Sequence, residues 1–149
     1  MISRLAFTDA WEMEHPADEV LRVLADVDSY MRWWPQVKEV ERVDAEHGQL
    51  RVCSSIPISL RMTITREAEL PEIGLLRVRV QGDLRGWSQW HVAAVPGGCR
   101  VAYTQEVSIA HPFFKLVAAV PVFGVRVIRA NHDAMMRGGA RGLGEYLAA

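Results

Sequence analysis

Residues 125–149 read VRVIRANHDAMMRGGARGLGEYLAA, and this stretch decides the fold because it predicts one long amphipathic helix at the end of the chain. One stripe at helical spacing carries apolar and small residues with a single histidine: Val125, Ile128, His132, Met135, Met136, Gly139, Leu143 and Leu147. The arginines at positions 126, 129, 137 and 141 fall mostly on the other faces. The helix therefore has one face to bury, and we expect the preceding part of the chain to cover it.

The chain before this helix reads mainly as strands. Residues 5–13 alternate with a period of two, and further strands are predicted near 37–45, 49–55, 59–70, 75–82, 84–94 and 99–109. Two short helices are predicted after the first strand, one over 17–25 and one ending before Pro35. This order of elements does not build alternating βαβ units. We predict a single α+β domain over 1–149, in which about seven antiparallel strands curve around the terminal helix.

Composition excludes several classes of function. The chain has 17 basic and 18 acidic residues and a net charge of −1, so no overall field attracts nucleic acid. The longest apolar stretch, Phe113–Val125, contains Lys115 and Pro121 and is shorter than the ~20 residues of a membrane-spanning helix. The N-terminus lacks the apolar run of a secretory signal, so we expect a cytoplasmic protein. Cys53 and Cys99 form no CxxC pair, and we expect neither a metal nor a cofactor.

Three stretches of the sequence resemble one known superfamily. They are His15–Tyr30 continuing through Trp33-Trp34-Pro35-Gln36-Val37, then Gly82-Asp83-Leu84-Arg85-Gly86 followed by Trp90, and finally the terminal helix with His132, Met135-Met136 and Leu143. Together they resemble the polyketide cyclase/dehydrase and lipid transport branch of the SRPBCC, or START-like, superfamily. The resemblance implies a helix-grip fold, in which a curved sheet and the terminal helix enclose an apolar cavity. It also implies lipid binding, steroid or polyketide handling, or cyclase activity, without choosing among them.

Strand parity and the helical stripe predict which residues line this cavity. They are Trp11, Trp34, Met62, Ser88, Trp90, Tyr103, Gln105, Ile128, His132, Met135 and Met136. His132 is the best candidate for catalysis, because a neutral imidazole facing the cavity can hydrogen-bond a ligand oxygen or act as a general base. The alternative is a core histidine with satisfied hydrogen bonds. Asp9 shares the parity of Phe7 and is a further candidate for the interior, although a register slip of one residue would turn it to solvent.

The segment before the terminal helix is apolar on nearly all sides. Phe113, Phe114, Pro121 and Phe123 are therefore candidates for a cavity gate, hinged at Pro121 and Gly124. Two alternatives remain open: the segment packs against the two N-terminal helices, or it makes transient contact with a membrane.

On the outer face of the sheet, Trp87 has the opposite parity to Trp90 and is predicted to be exposed. An exposed tryptophan is a candidate anchor for a homodimer, because tryptophan is frequent at interface hot spots.

Three functions follow from these residues. The leading hypothesis is the binding of a hydrophobic small molecule, lipid or polyketide-like, between the sheet and the terminal helix. The first alternative is a polyketide aromatase/cyclase or dehydratase that uses His132, although the chain contains no GxSxG, HExxH, Walker or GxGxxG motif. The second alternative is a protein interaction module acting through the outer sheet face at Trp87. The sequence does not identify the ligand, because an apolar lining encodes size and shape only in three dimensions.

Overall fold

The computed structural model describes residues 4–149, in which a seven-stranded antiparallel sheet packs against a long C-terminal helix. The strands are β1 (Arg4–Met13), β2 (Val37–Arg42), β3 (His47–Val52), β4 (Leu60–Leu70), β5 (Leu75–Gly82), β6 (Leu84–Val95) and β7 (Gly98–Ile109), and the helices are α1 (Ala17–Ala25), α2 (Tyr30–Trp33), α3 (Pro112–Ala118) and α4 (Gly124–Ala148). The strand order is β1-β7-β6-β5-β4-β3-β2. The predicted α+β class and helix-grip arrangement are confirmed.

The first and last strands carry much of the core. Alternate residues of β1 are buried, as the period of two predicts, and β7 shows the same alternation. Trp11 lies opposite Val101 and Leu5 lies opposite Val107 in the register of the two strands. α1 covers one part of this core through the buried face that includes Leu24. Burial of this face holds the helix in place, because a nine-residue helix is marginal by itself.

Two features favour bending of the sheet: a register shift between β4 and β5, and a close approach of β6 to β7 at a glycine. The register between β4 and β5 shifts between Arg66 and Ala68, and such a bulge bends a strand and increases its twist. In β6, Gly86 lies so close to β7 that a Cβ atom there would overlap the carbonyl oxygen of Glu106. Only glycine fits this crossing. These features let the sheet curve around the space in front of α4.

Glycines on α4 make room for Trp33 and Trp34 at the end of α2. A Cβ atom at Gly139 would lie 2.7 Å from the Trp34 ring, and one at Gly142 would overlap the carbonyl oxygen of Trp33. The Trp34 Nε1–H group donates a hydrogen bond of 2.8 Å to the carbonyl oxygen of Met135. The glycines therefore weaken the helix locally but allow the tight contact that fixes it against the N-terminal part of the chain.

Two predicted strand ends differ from the structure. β2 ends at Arg42 rather than near residue 45, because the Asp44 carboxylate accepts hydrogen bonds from the backbone N–H groups of Glu46 and His47 and forms a turn there. β3 ends at Val52 rather than near residue 55, because the next segment bonds to α4 instead. The Ile56 N–H group donates to Asn131 Oδ1 at 2.7 Å.

Candidate ligand cavity

A cavity lies between the concave face of the sheet and α4. Its open volume is about 170 Å³. All seven strands and all four helices contribute to its wall, and most of the lining side chains are apolar. The wall also includes two aromatic residues from the α2 region, Tyr30 and Trp34, and one from α3, Phe114.

Ten of the eleven side chains that strand parity and helical spacing placed in the cavity lie on its wall. They are Trp34, Met62, Ser88, Trp90, Tyr103, Gln105, Ile128, His132, Met135 and Met136. Trp11 is the exception. Its buried ring packs against Trp90, with 5.1 Å between the ring centroids, and edge-on against Trp34 at 6.0 Å. It belongs to the aromatic core beside the cavity, and it supports the two tryptophans that do reach the wall.

A polar cluster interrupts the apolar wall on the sheet side. Ser88 on β6 lies opposite Gln105 on β7 in the strand register. The Ser88 hydroxyl oxygen accepts a hydrogen bond of 2.9 Å from Gln105 Nε2 and one of 3.1 Å from the Tyr103 hydroxyl. Burial raises the pKa of Tyr103 to about 12, so this phenol stays protonated and remains a donor. Since Ser88 accepts from both neighbours, its own hydroxyl hydrogen is left to donate to a further acceptor.

His132 projects from α4 and is a neutral, poorly paired histidine whose ring centroid lies 6.1 Å from that of Tyr103. Its ring stacks on Phe7, with centroids 3.9 Å apart and planes inclined by 15°. Burial lowers its pKa to about 4, with a further lowering by Arg129 that opposes the effect of Asp133. Within residues 4–149, the buried Nδ1 atom has no hydrogen-bond partner.

Asp9 is the acidic group that approaches this histidine from β1. Its Oδ2 atom lies 3.7 Å from His132 Nδ1, which is beyond hydrogen-bond distance. Burial raises the pKa of the Asp9 carboxyl, and the negative charge of Asp133 raises it further. Because the imidazole is neutral near pH 7, the two groups form no ion pair at that pH. The arrangement leaves His132 free to hydrogen-bond a molecule in the cavity.

The predicted gate residues separate into two groups. Phe114 is buried and lines the cavity, whereas Phe113 and Phe123 are exposed for 66% and 64% of their surface and Pro121 is also exposed. The segment packs against α4, and the N-terminal helices do not cover Phe113 or Phe123. One side of α3 therefore lines the cavity, and the other side faces outward.

Trp87 lies on the outer face as its parity predicts, but it is not fully exposed. The guanidinium carbon of Arg77 lies 4.1 Å from the centre of the indole ring. This cation–π contact covers part of the ring, and the residue is only half-exposed. The sequence pattern missed this cover because Arg77 lies on the neighbouring strand.

Several wall residues were not predicted from the sequence. Tyr30 is buried, reaches the cavity and donates a hydrogen bond of 2.6 Å to the Leu24 carbonyl oxygen. Arg66, Ala68 and Glu69 reach the wall around the β4 bulge, where the simple alternation of faces breaks down. Tyr30 was recognisable from its apolar neighbours, but the bulge leaves no clear signal in the sequence.

Residues 4–149 contain neither a cluster of metal ligands nor a helix that could span a membrane. In that range, no three His, Cys, Asp or Glu side chains come together in a way that would hold a metal ion. None of the helices there is both long enough and apolar enough to cross a bilayer. Cys53 and Cys99 are free thiols.

A family model described as polyketide cyclase/dehydrase and lipid transport matches residues 4–147. A comparison with curated proteins finds no significant match.

Solved structures share the fold at low sequence identity. The Zhui aromatase/cyclase from Streptomyces sp. R1128 is 17% identical, with a TM-score of 0.75 over 96% of this chain and 93% of that one. A protein from Thermus thermophilus is 16% identical, with a TM-score of 0.69 over 94% and 96%. The di-domain ARO/CYC BexL from the BE-7585A biosynthetic pathway is 13% identical, with a TM-score of 0.72 over 98% of this chain and 50% of that one. At these identities the likeness shows the fold alone.

Proposed function

Because the chain belongs to the polyketide cyclase/dehydrase and lipid transport family, as its sequence resemblance predicted, we propose that it binds a small, largely apolar molecule with one uncharged oxygen. The site is the cavity between the sheet and α4, and the proposal treats residues 1–149 as one domain. Family and fold both match the binding of hydrophobic ligands. The size of the ligand and the position of its oxygen are inferred from the wall of the cavity.

The observation that carries this proposal is a largely apolar cavity with an uncharged polar cluster of Ser88, Tyr103 and Gln105 on its sheet side. The charged side chains that also reach the wall are paired, Arg66 with Glu69 and Arg77 with Glu67. Ligand sites are typically concave and apolar, with a few polar groups that fix orientation. The open space of about 170 Å³ is comparable to an engineered cavity of about 150 Å³ in another protein that binds benzene. It is smaller than the pockets of about 300–1,000 Å³ that hold drug-sized ligands. A ligand with one or two rings, or a short acyl chain, fits this space.

Larger ligands require the wall to move. Met62, Met135 and Met136 provide side chains that adapt their shape, because methionine is unbranched and flexible. Phe114 is the proposed gate residue, since it closes the α3 end of the cavity while its neighbour Phe113 faces outward. Movement of α3 would therefore open this end without disturbing the sheet.

Polar recognition is assigned to Ser88 on the sheet and His132 on α4. The Ser88 hydroxyl is held by Tyr103 and Gln105 and has its hydrogen left to donate, which suits a ligand carbonyl or hydroxyl oxygen. The neutral His132 ring offers a second uncharged hydrogen-bonding group. Neither group provides a charge for a carboxylate or ammonium ligand.

A matched pair of ligands tests this assignment. 1-Tetralone and tetralin have the same two rings and differ by one carbonyl oxygen. We expect Ser88→Ala to weaken 1-tetralone binding by about tenfold, because one hydrogen bond is lost, and to change tetralin binding by less than about twofold. Binding is followed through the fluorescence of Trp34 and Trp90, which line the cavity.

Ser108→Ala is the control for this test, because Ser108 lies on β7 on the opposite face from Gln105. It should leave both affinities unchanged. Equal losses for the two ligands in Ser88→Ala would show a general disturbance of the wall and would reject the role of Ser88.

A second candidate function is catalysis by His132, as an aromatase/cyclase or dehydratase would require. Asp9 favours it, because its carboxyl group approaches the imidazole as an orienting group would. The lowered pKa of about 4 argues against it, since a general base works best when its pKa is near the operating pH. We therefore rank binding first. A measured His132 pKa near 7 would restore the general-base role.

A further inference from the structure

Exposed apolar side chains are concentrated at one end of the molecule. Among residues 4–149, eleven large apolar side chains are exposed, and six of them fall within residues 113–127. These six form what we call the apolar tip: Phe113, Leu116, Val120, Val122, Phe123 and Val127. Single exposed apolar residues are common on soluble domains, but a cluster of this kind marks a surface that contacts something apolar.

The apolar tip is a defined turn between two helices. Phe113 and Leu116 are three residues apart on α3 and share one side, while Phe123 and Val127 are four residues apart at the start of α4. The Gly124 N–H group donates to the Val120 carbonyl oxygen at 2.9 Å and closes the turn. A Cβ atom at Gly124 would overlap the Val117 carbonyl oxygen, so the turn is tightly packed on its inner side.

Val122 is the most exposed apolar residue of this turn. Its φ of 68° lies in the left-handed region, which β-branched residues rarely adopt. Its side chain is nonetheless exposed for 72% of its surface, more than any other member of the apolar tip. Glycine or asparagine would suit this backbone better, and no side chain within residues 4–149 covers the valine. The residue therefore fits a role in contact with an apolar environment outside the protein.

The charge around the apolar tip has one sign. Residues 107–132 contain no aspartate or glutamate, whereas Lys115, Arg126 and Arg129 all lie in this range and are exposed. Within the described residues, Lys115 and Arg126 form no salt bridge with any carboxylate. The chain as a whole has a charge of −1, so this basic region contrasts with the rest of the surface.

We propose that the apolar tip docks on an anionic lipid bilayer. Phe113, Val122 and Phe123 enter the boundary between headgroups and acyl chains, and Lys115 and Arg126 meet the phosphate groups. A bilayer accepts a protruding tip without a matching groove, which favours it over a folded protein partner. Basic residues flanking apolar ones are the pattern of surfaces that bind anionic membranes.

Docking would place the cavity next to the bilayer. Phe114 precedes Lys115 on α3 and lines the cavity, so the same short helix faces both the proposed membrane and the ligand space. An apolar ligand is poorly soluble in water and concentrates in bilayers. The inference goes beyond ligand binding and does not depend on it, because the cavity remains a binding site whether or not the tip meets a membrane.

Vesicle co-flotation of the full chain tests the proposal. We expect the protein to float with vesicles of phosphatidylcholine and phosphatidylserine, and to do so much less with phosphatidylcholine alone or at high salt. Phe113→Asp combined with Phe123→Asp should lower the partition coefficient by at least about tenfold. The matched control is Val43→Asp combined with Ile73→Asp, two exposed apolar residues away from the tip, which should change partitioning by less than about twofold.

Three results would overturn the proposal. The first is an equal partition coefficient for the tip variant and the wild-type protein. The second is an equal loss in the tip variant and the control variant. The third is a concentration-dependent dimer that the tip variant abolishes, without vesicle binding by the wild-type protein, because a second copy would then be the occupant. Thermal unfolding checks that both variants are folded, and tetralin binding reports separately on the cavity.

Discussion

Replacement of His132 by phenylalanine gives a quantitative prediction about stability and pH. Phenylalanine keeps a flat ring that can stack on Phe7 but removes the titratable group. Folding lowers the His132 pKa from 6.5 to about 4, chiefly through burial. The unfolded chain therefore binds more protons than the folded protein between these two values, and stability falls as the pH decreases through that window. At about 1.4 kcal/mol per pKa unit, His132 accounts for a loss of about 3 kcal/mol of unfolding free energy between pH 7 and pH 4.

The assay is urea unfolding followed by tryptophan fluorescence at pH 7 and at pH 4. The wild-type protein should lose about 3 kcal/mol more unfolding free energy than His132→Phe between these pH values. Other groups titrate in both proteins, and their effects cancel in the difference. Ile128→Val is the control, since it truncates a neighbouring buried residue without a titratable group. It should cost about 1 kcal/mol at both pH values.

The reasoning is refuted if the unfolding free energies of the wild-type protein and His132→Phe differ by the same amount at both pH values. That result would mean that the imidazole is accessible to protons in the folded protein. The site would then contain a base of ordinary strength, and the catalytic alternative would gain support.

The remaining predictions concern two glycines two residues apart on α4. Gly142→Ala should destabilise the protein by about 1–3 kcal/mol, because the new Cβ atom would overlap the Trp33 carbonyl oxygen. Gly144→Ala should stabilise it by about 0.5–1 kcal/mol, because nothing lies within 4 Å of a Cβ atom there and alanine favours a helix. Thermal unfolding compares the two variants with the wild-type protein, and a Gly142→Ala variant as stable as the wild type would contradict the close contact between α4 and Trp33.

Local periodicity was sufficient to predict the main elements of the fold. The period of two in β1 and the helical stripe of α4 both correspond to buried faces in the structure. The bounds of α1 match the prediction because proline precedes it and acidic residues occupy its first turn. These signals are local, so a single sequence contains them. The predicted ends of β2 and β3 were less accurate. The side chains of Asp44 and Asn131 accept hydrogen bonds from the backbone just beyond these strands and end them early.

The site was less predictable, because it depends on distances between elements. Parity indicates that Ser88 and Gln105 face the same side, but only the register of β6 and β7 puts their polar atoms in contact. Trp11 has the correct parity, yet it packs against other tryptophans rather than on the cavity wall. Empty space is a property of how the walls pack in three dimensions, and no sequence pattern encodes its volume.

The exposure of the apolar tip was also beyond the reach of the sequence. An apolar run from Phe113 to Phe123 is compatible with burial against the N-terminal helices, with a gate and with membrane contact. The structure shows only that Phe114 and Phe113, which are adjacent in sequence, point to the cavity and to solvent. Orientation of this kind depends on how α3 sits against α4.

Filling the cavity tests the central claim most directly. Val80 on β5 is buried and lines the cavity, so Val80→Phe should occupy part of the open space. We expect tetralin to bind the wild-type protein and to bind Val80→Phe at least about tenfold more weakly, while the variant unfolds at the same or a higher temperature. Gln81→Phe adds the same ring at an exposed position and should leave the affinity unchanged. Equal tetralin affinity in all three proteins, or no binding by the wild-type protein, would contradict the account.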